Sequence, residues 1–140
     1  MEESIRRIFS LSGRDARTYS PLSLAYIGDS VYELIIRTCL TEEKELSSKE
    51  YTKLSSGLSK APAQARIADA IMGMLSPAEA EAFRRGKNAS PHSIAKSGTP
   101  MDYHIATGLE SLIGWLYVTG AEERAIELIK TGMETMSDGR

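Results

Sequence analysis

The sequence predicts an all-α domain of about seven helices. Three observations predict it. Apolar residues recur with a 3.6-residue period through nearly every segment, nearly every boundary carries helix punctuation, and no stretch shows the strict alternation of a strand. At 140 residues the chain is the length of a single domain with one core, and neither an internal repeat nor a shift in composition divides it.

Taken in order, Ile5, Ile8 and Phe9 form a short opening helix. Ser20-Pro21 reads as a cap followed by proline at the first helical position. The helix it opens carries Leu24, Ile27, Gly28, Val31, Leu34 and Ile35 on one face and ends near Leu40. Ser47 and Glu50 have capping-box spacing ahead of Tyr51, Leu54 and Leu58. Pro62 begins a helix with Ile67, Ile71 and Leu75. Ser76-Pro77 with Glu79 repeats the cap, proline and acid pattern, and Gly86 is expected to close that helix. Residues 88–98 lack an apolar period and read as the one long loop. Thr99-Pro100 with Asp102 opens the stripe Ile105, Leu109, Leu112, Ile113 and Leu116, which Gly120 stops. The last helix is expected to face Ile126, Ile129, Met133 and Met136 inward, with Met72 and Met74 also filling core. Tyr26, Tyr32 and Tyr117 are spaced as packing or dimer-contact residues.

Several function classes drop out. No apolar run approaches the roughly 20 residues of a membrane span, and no secretory signal opens the chain. The single Cys39 cannot form an internal disulfide, and with only His92 and His104 beside it a Cys/His zinc site is excluded. These features point to a reducing, cytoplasmic setting, where the sequon at Asn88 is a chance match. No glycine-rich phosphate loop implies a nucleotide cofactor, and no Cys or Asp accompanies His104 at triad spacing. The net charge of -2 argues against a surface that grips nucleic acid all over. It hides an asymmetry: residues 82–101 contain no acid but hold Arg84, Arg85, Lys87 and Lys96.

Two carboxylates stand at the margins of the most apolar helices. Asp29 is expected beside Ala25, Glu33 and Ile36, partly desolvated. Glu110 is expected at the edge of the Leu109/Ile113 stripe, flanked by Ala106, Thr107, Gly114 and Tyr117. A partly buried carboxylate must be paired, protonated or metal-bound, and two of them make metal binding competitive with simple pairing.

The run Leu24-Ala25-Tyr26-Ile27-Gly28-Asp29-Ser30-Val31 resembles the signature helix of the ribonuclease III family, whose core is an aromatic, an aliphatic, then Gly-Asp-(Ala/Ser)-Val. Thr107-Gly108-Leu109-Glu110-Ser111-Leu112-Ile113-Gly114 resembles the family's second element. The family's glutamate four residues before the signature Asp is replaced by Ala25, its Asp three residues before the motif Glu by Thr107, and a further glutamate would fall near Ala61. The chain is expected to be a single ribonuclease III-like catalytic domain over residues 1–140 without a double-stranded-RNA-binding domain, which resembles the Mini-ribonuclease III branch, made of the catalytic domain alone. Arg85-Gly86-Lys87-Asn88-Ala89 and Lys96-Ser97-Gly98-Thr99-Pro100 look like that branch too.

The resemblance implies a ribonuclease III-like fold and a homodimeric, Mg²⁺-dependent endoribonuclease, with Mn²⁺ as a substitute ion. It would cut both strands of duplex RNA, in the branch's task of maturing 23S precursor ribosomal RNA, with a ribosomal protein as a candidate partner. Asp29 and Glu110 would be the catalytic and metal-binding residues, and Thr107 would hold a coordinated water through its hydroxyl. Two carboxylates suffice for one Mg²⁺ and are thin for two, so a second ion is expected only with the scissile phosphate. Arg84, Arg85, Lys87, Asn88 and Lys96 would grip the RNA backbone. The three missing acids leave a rival, a non-catalytic RNA-binding or scaffold protein on the same fold.

Overall fold

A computed structural model of the chain describes residues 1–90 and 98–137. Among them are seven α-helices and no strand: α1 (Glu2–Ile8), α2 (Pro21–Glu43), α3 (Ser48–Ser59), α4 (Ala61–Ile71), α5 (Pro77–Ala89), α6 (Pro100–Val118) and α7 (Glu122–Ser137). Single 3-10 turns lie at Ala16–Thr18 and Met72–Met74.

The helix starts are fixed by local chemistry. The Ser20 hydroxyl accepts from the Ser23 amide ahead of α2. Reciprocal capping boxes open α3 (Ser47 with Glu50), α5 (Ser76 with Glu79) and α6 (Thr99 with Asp102), satisfying amides that a helix start leaves without partners. Gly120, with φ of 81°, makes the left-handed turn that ends α6.

The core forms around α6, which packs against α2, α5, α4 and α7. Leu109, Leu112, Ile113 and Leu116 of α6 meet Ile36 of α2, Ile67 and Ile71 of α4, and Leu128 and Ile129 of α7, all buried. Tyr32 and Tyr117 are core residues, whereas Tyr26 is 83% exposed.

Several expectations need correction. The second helix runs past Leu40 to Glu43. Gly86 does not close α5 but sits inside it, buried against Ser111 of α6; its missing side chain serves close packing rather than a turn. Leu34 is exposed on α2, and Leu75 lies beyond the end of α4. The buried face of α7 is Ala125, Leu128, Ile129 and Gly132, with Ile126 exposed, because Gly132 seats the helix on Ile67 and so sets its rotation. Met133 and Met136 pack partly buried against the core, but Met72 and Met74 are exposed. The helix α1 buries nothing; Arg6 ties it to the end of α6 through a 3.0 Å hydrogen bond to the Val118 carbonyl.

Candidate active site

The site begins with a helix crossing. Gly28 of α2 and Gly114 of α6 lie where the two backbones touch: a Cβ on Gly28 would overlap the Glu110 carbonyl, and one on Gly114 would overlap the Leu24 carbonyl. Glycine at both positions lets the helices approach more closely than any side chain would permit. Asp29 follows Gly28 directly, and Glu110 stands on the facing turn of α6. Two carboxylates remote in sequence thus come close enough to interact directly.

Their environments differ. Glu110 is half-buried, and its carboxyl is pushed up to about 8, first by burial and then by the neighbouring Asp29. Opposing this, the buried side chain of Gln64 in α4 lies close enough to favour its ionised form. Asp29 is exposed, which corrects the expected desolvation: one residue past Gly28, its side chain leaves the flank of the crossing for solvent. One turn further on, Glu33 is turned aside by Arg37 (3.1 Å) and by the Ser59 hydroxyl, which donates to it. No cluster of three or more acids, histidines or cysteines that could hold a metal exists among the described residues.

Gln64 is the residue that the sequence reading missed. It had a signal. With Ile67, Ala68 and Ile71 it forms the i, i+3, i+4, i+7 stripe that α4 buries, and a lone amide at the head of such a stripe requires a polar partner. Its position is fixed through α3, since the Tyr32 hydroxyl donates to the Leu58 carbonyl (2.6 Å) and holds the α3–α4 junction against α2.

Thr107 is buried, and its hydroxyl donates to the Tyr103 carbonyl (3.0 Å) while accepting from Ser90 (3.3 Å). Its proton is therefore spent inside the protein, and only acceptor capacity remains toward a water. On α5, Arg84 is held by Glu81 through two hydrogen bonds, at 2.6 and 3.0 Å. Arg85 is exposed beside Glu81 and lines a concavity of about 200 Å³ with Arg17, Ser111 and Trp115. Lys87 and Asn88 line another of about 230 Å³ with Ser90, Met101 and His104. Lys96 and His92 lie outside the described residues.

The Ribonuclease III domain family matches residues 22–121, a span that contains both acids and both glycines of the crossing, and this defines the class of the chain. The chain is 35% identical to the Mini-ribonuclease 3 of Symbiobacterium thermophilum over 88% of its own length and 95% of that protein's. It is 37% identical to the Mini-ribonuclease 3 of Clostridium tetani, over 84% of this chain and 78% of the relative. The X-ray crystal structure of protein FN1578 from Fusobacterium nucleatum superposes with a TM-score of 0.77 at 29% identity, covering 89% of this chain and 99% of that one. The chain belongs to the Mini-ribonuclease 3 group of the ribonuclease III family.

Proposed function

We propose that the protein is a Mg²⁺-dependent endoribonuclease that cleaves both strands of double-stranded RNA, acting on 23S precursor ribosomal RNA in the cytoplasm. The observation that carries this reading is the pairing of Asp29 with Glu110 across the α2–α6 crossing. Family membership supports the endoribonuclease class.

The donor set suits a hard cation: two carboxylates, one open to solvent and one half-buried near an amide, with no sulfur or imidazole in the pair. Mg²⁺ commonly takes one or two protein carboxylates and keeps several waters. When bound, such an ion lowers the pKa of water and neutralises charge developing on the phosphate. Asp29 and Glu110 would hold it, and Mn²⁺ would substitute. Thr107 would accept a hydrogen bond from a water at the site's edge. Arg84, Arg85, Lys87, Asn88 and Lys96 would bind phosphates, the principal handle on an A-form duplex.

The active species would be a homodimer, whose two-fold axis suits a two-stranded substrate. The exposed Ile8, Phe9, Leu22 and Tyr26, and a groove of about 330 Å³ lined by Ile5, Leu11 and Tyr26, offer apolar surface for the second subunit to cover. A ribosomal protein would be a partner in presenting the RNA.

The test compares wild type with Asp29→Asn and Glu110→Gln on duplex RNA with Mg²⁺ or Mn²⁺. Both variants should retain their helical spectrum and duplex binding while losing cleavage. Tight duplex binding by a wild type that cuts with neither ion would establish the non-catalytic scaffold instead.

A further inference from the structure

We infer that Gln64 is a positioning residue for the cation site: its buried amide fixes the Glu110 carboxylate in the orientation that, with Asp29, closes on a divalent ion. The inference rests on the cation-site reading above and adds to it a residue that is neither an acid nor in either sequence motif.

The argument starts from cost. Gln64 is 2% exposed on a helix face otherwise made of Ile67, Ala68 and Ile71, where an apolar side chain would avoid desolvating an amide, a cost of about 1–3 kcal/mol when the group is poorly partnered. An amide retained in such a place has a polar task, and the ionisable group it influences is Glu110. Glu110 needs that help. At positions 25 and 107 the chain has alanine and threonine, so neither position supplies a carboxylate to share a cation or to pin the two remaining acids by coordination.

Gln64 supplies a directional constraint without adding charge. An N–H of this amide can engage one Glu110 oxygen from the α4 side and leave the other lone pairs to a cation shared with Asp29. A glutamate in its place would add a third negative charge and no donor. Its own support is local, because the Gln64 main-chain amide bonds to the Lys60 carbonyl (3.0 Å) in the first turn of α4.

The experiment measures Mn²⁺ binding to the RNA-free protein, by electron paramagnetic resonance of the free ion, in wild type, Asp29→Asn, Gln64→Met and Gln64→Leu. Steady-state cleavage of a short duplex and thermal melting accompany it. Outer hydrogen-bond partners of metal ligands typically govern affinity by about 10- to 100-fold. Folded Gln64→Met or Gln64→Leu should therefore weaken Mn²⁺ by at least about tenfold and lower kcat, leaving KM for the duplex at the wild-type value. Wild-type Mn²⁺ affinity in either folded variant overturns the proposal while leaving the Asp29–Glu110 site intact. Failure of both variants to fold makes Gln64 a packing residue and equally overturns it. Wild-type Mn²⁺ binding that survives Asp29→Asn would instead remove the cation site itself, and the role of Gln64 with it.

Discussion

The α-carbon of Gly28 rests against the main-chain carbonyl of Glu110, the residue whose side chain forms half of the acidic pair. One contact therefore sets both the packing of α2 on α6 and the geometry of the site. A Cβ at position 28 would overlap that carbonyl oxygen and lie 2.8 Å from the Gly114 amide nitrogen, atoms that cannot rotate away. Gly28→Ala should cost about 3 kcal/mol, the upper range for overpacking, read as a lowered urea midpoint, and should weaken divalent-ion binding by parting the carboxylates. Gly57, inside α3 with nothing within 4 Å of its Cβ position, is the control: Gly57→Ala should stabilise by roughly 0.5–1 kcal/mol. Equal stability of Gly28→Ala and wild type would mean that the helices do not touch at this point.

A second lock lies away from the site. Arg124 of α7 donates to both oxygens of Glu79 (2.9 and 3.0 Å) and to the Met74 carbonyl (2.8 Å), while Glu79 also accepts from the Ser76 amide. The guanidinium holds the Glu79 carboxyl below its ordinary range, so the stabilisation is present above that range and fades as acid protonates it. Arg124→Met should cost about 2 kcal/mol at neutral pH. That is less than the roughly 3–5 kcal/mol of a fully buried broken pair, since about a third of Arg124 remains in solvent. The deficit should shrink below about pH 4; denaturation at both pH values checks it.

The features most legible in the sequence were those written in local chemistry. Capping boxes need residues three apart, and all three, at Ser47, Ser76 and Thr99, lie where the spacing placed them. Asp29 and Glu110 were legible because charged residues stood at the margins of apolar stripes. What escaped was decided by contacts between helices. Gly86 has the residue type of a helix stop and the environment of a close crossing, and only the presence of Ser111 opposite it distinguishes the two. The rotation of α7 is set by Gly132 on Ile67, not by its most hydrophobic stripe. The partner of Gln64 lies on another helix, so its spacing could announce a need but not the residue that meets it.

The two arginines in the second half of α5 should behave differently toward RNA despite being neighbours. Arg84 is exposed but engaged with Glu81, so freeing it costs hydrogen bonds before it meets a phosphate; Arg85 has no such clamp. In an Asp29→Asn background, which blocks cleavage, Arg85→Ala should weaken duplex binding and lower the slope of log affinity against log salt by about one unit. Arg84→Ala should do less, and Glu81→Ala should tighten binding by releasing Arg84. Filter binding between low and moderate KCl decides it; equal slopes for the two arginine variants would remove the distinction.

The raised Glu110 carboxyl makes the metal-free fold sensitive to pH in a defined direction. In the unfolded chain this group releases its proton near 4.5, and in the folded protein near 8. Between these values the folded state binds more protons, so stability falls as pH rises. Glu110→Gln carries no such proton, and its melting temperature should gain on that of wild type across this window. Adding Mg²⁺ at pH 8 should restore the wild type and leave Glu110→Gln unchanged, because the ion replaces the proton on the same oxygens. For the same reason the apparent Mg²⁺ affinity should rise by up to about tenfold per pH unit below 8 and level off above it. Calorimetry of both proteins in chelated and Mg²⁺-supplemented buffers tests the linkage, and parallel pH profiles for the two would show that Glu110 gains no proton on folding.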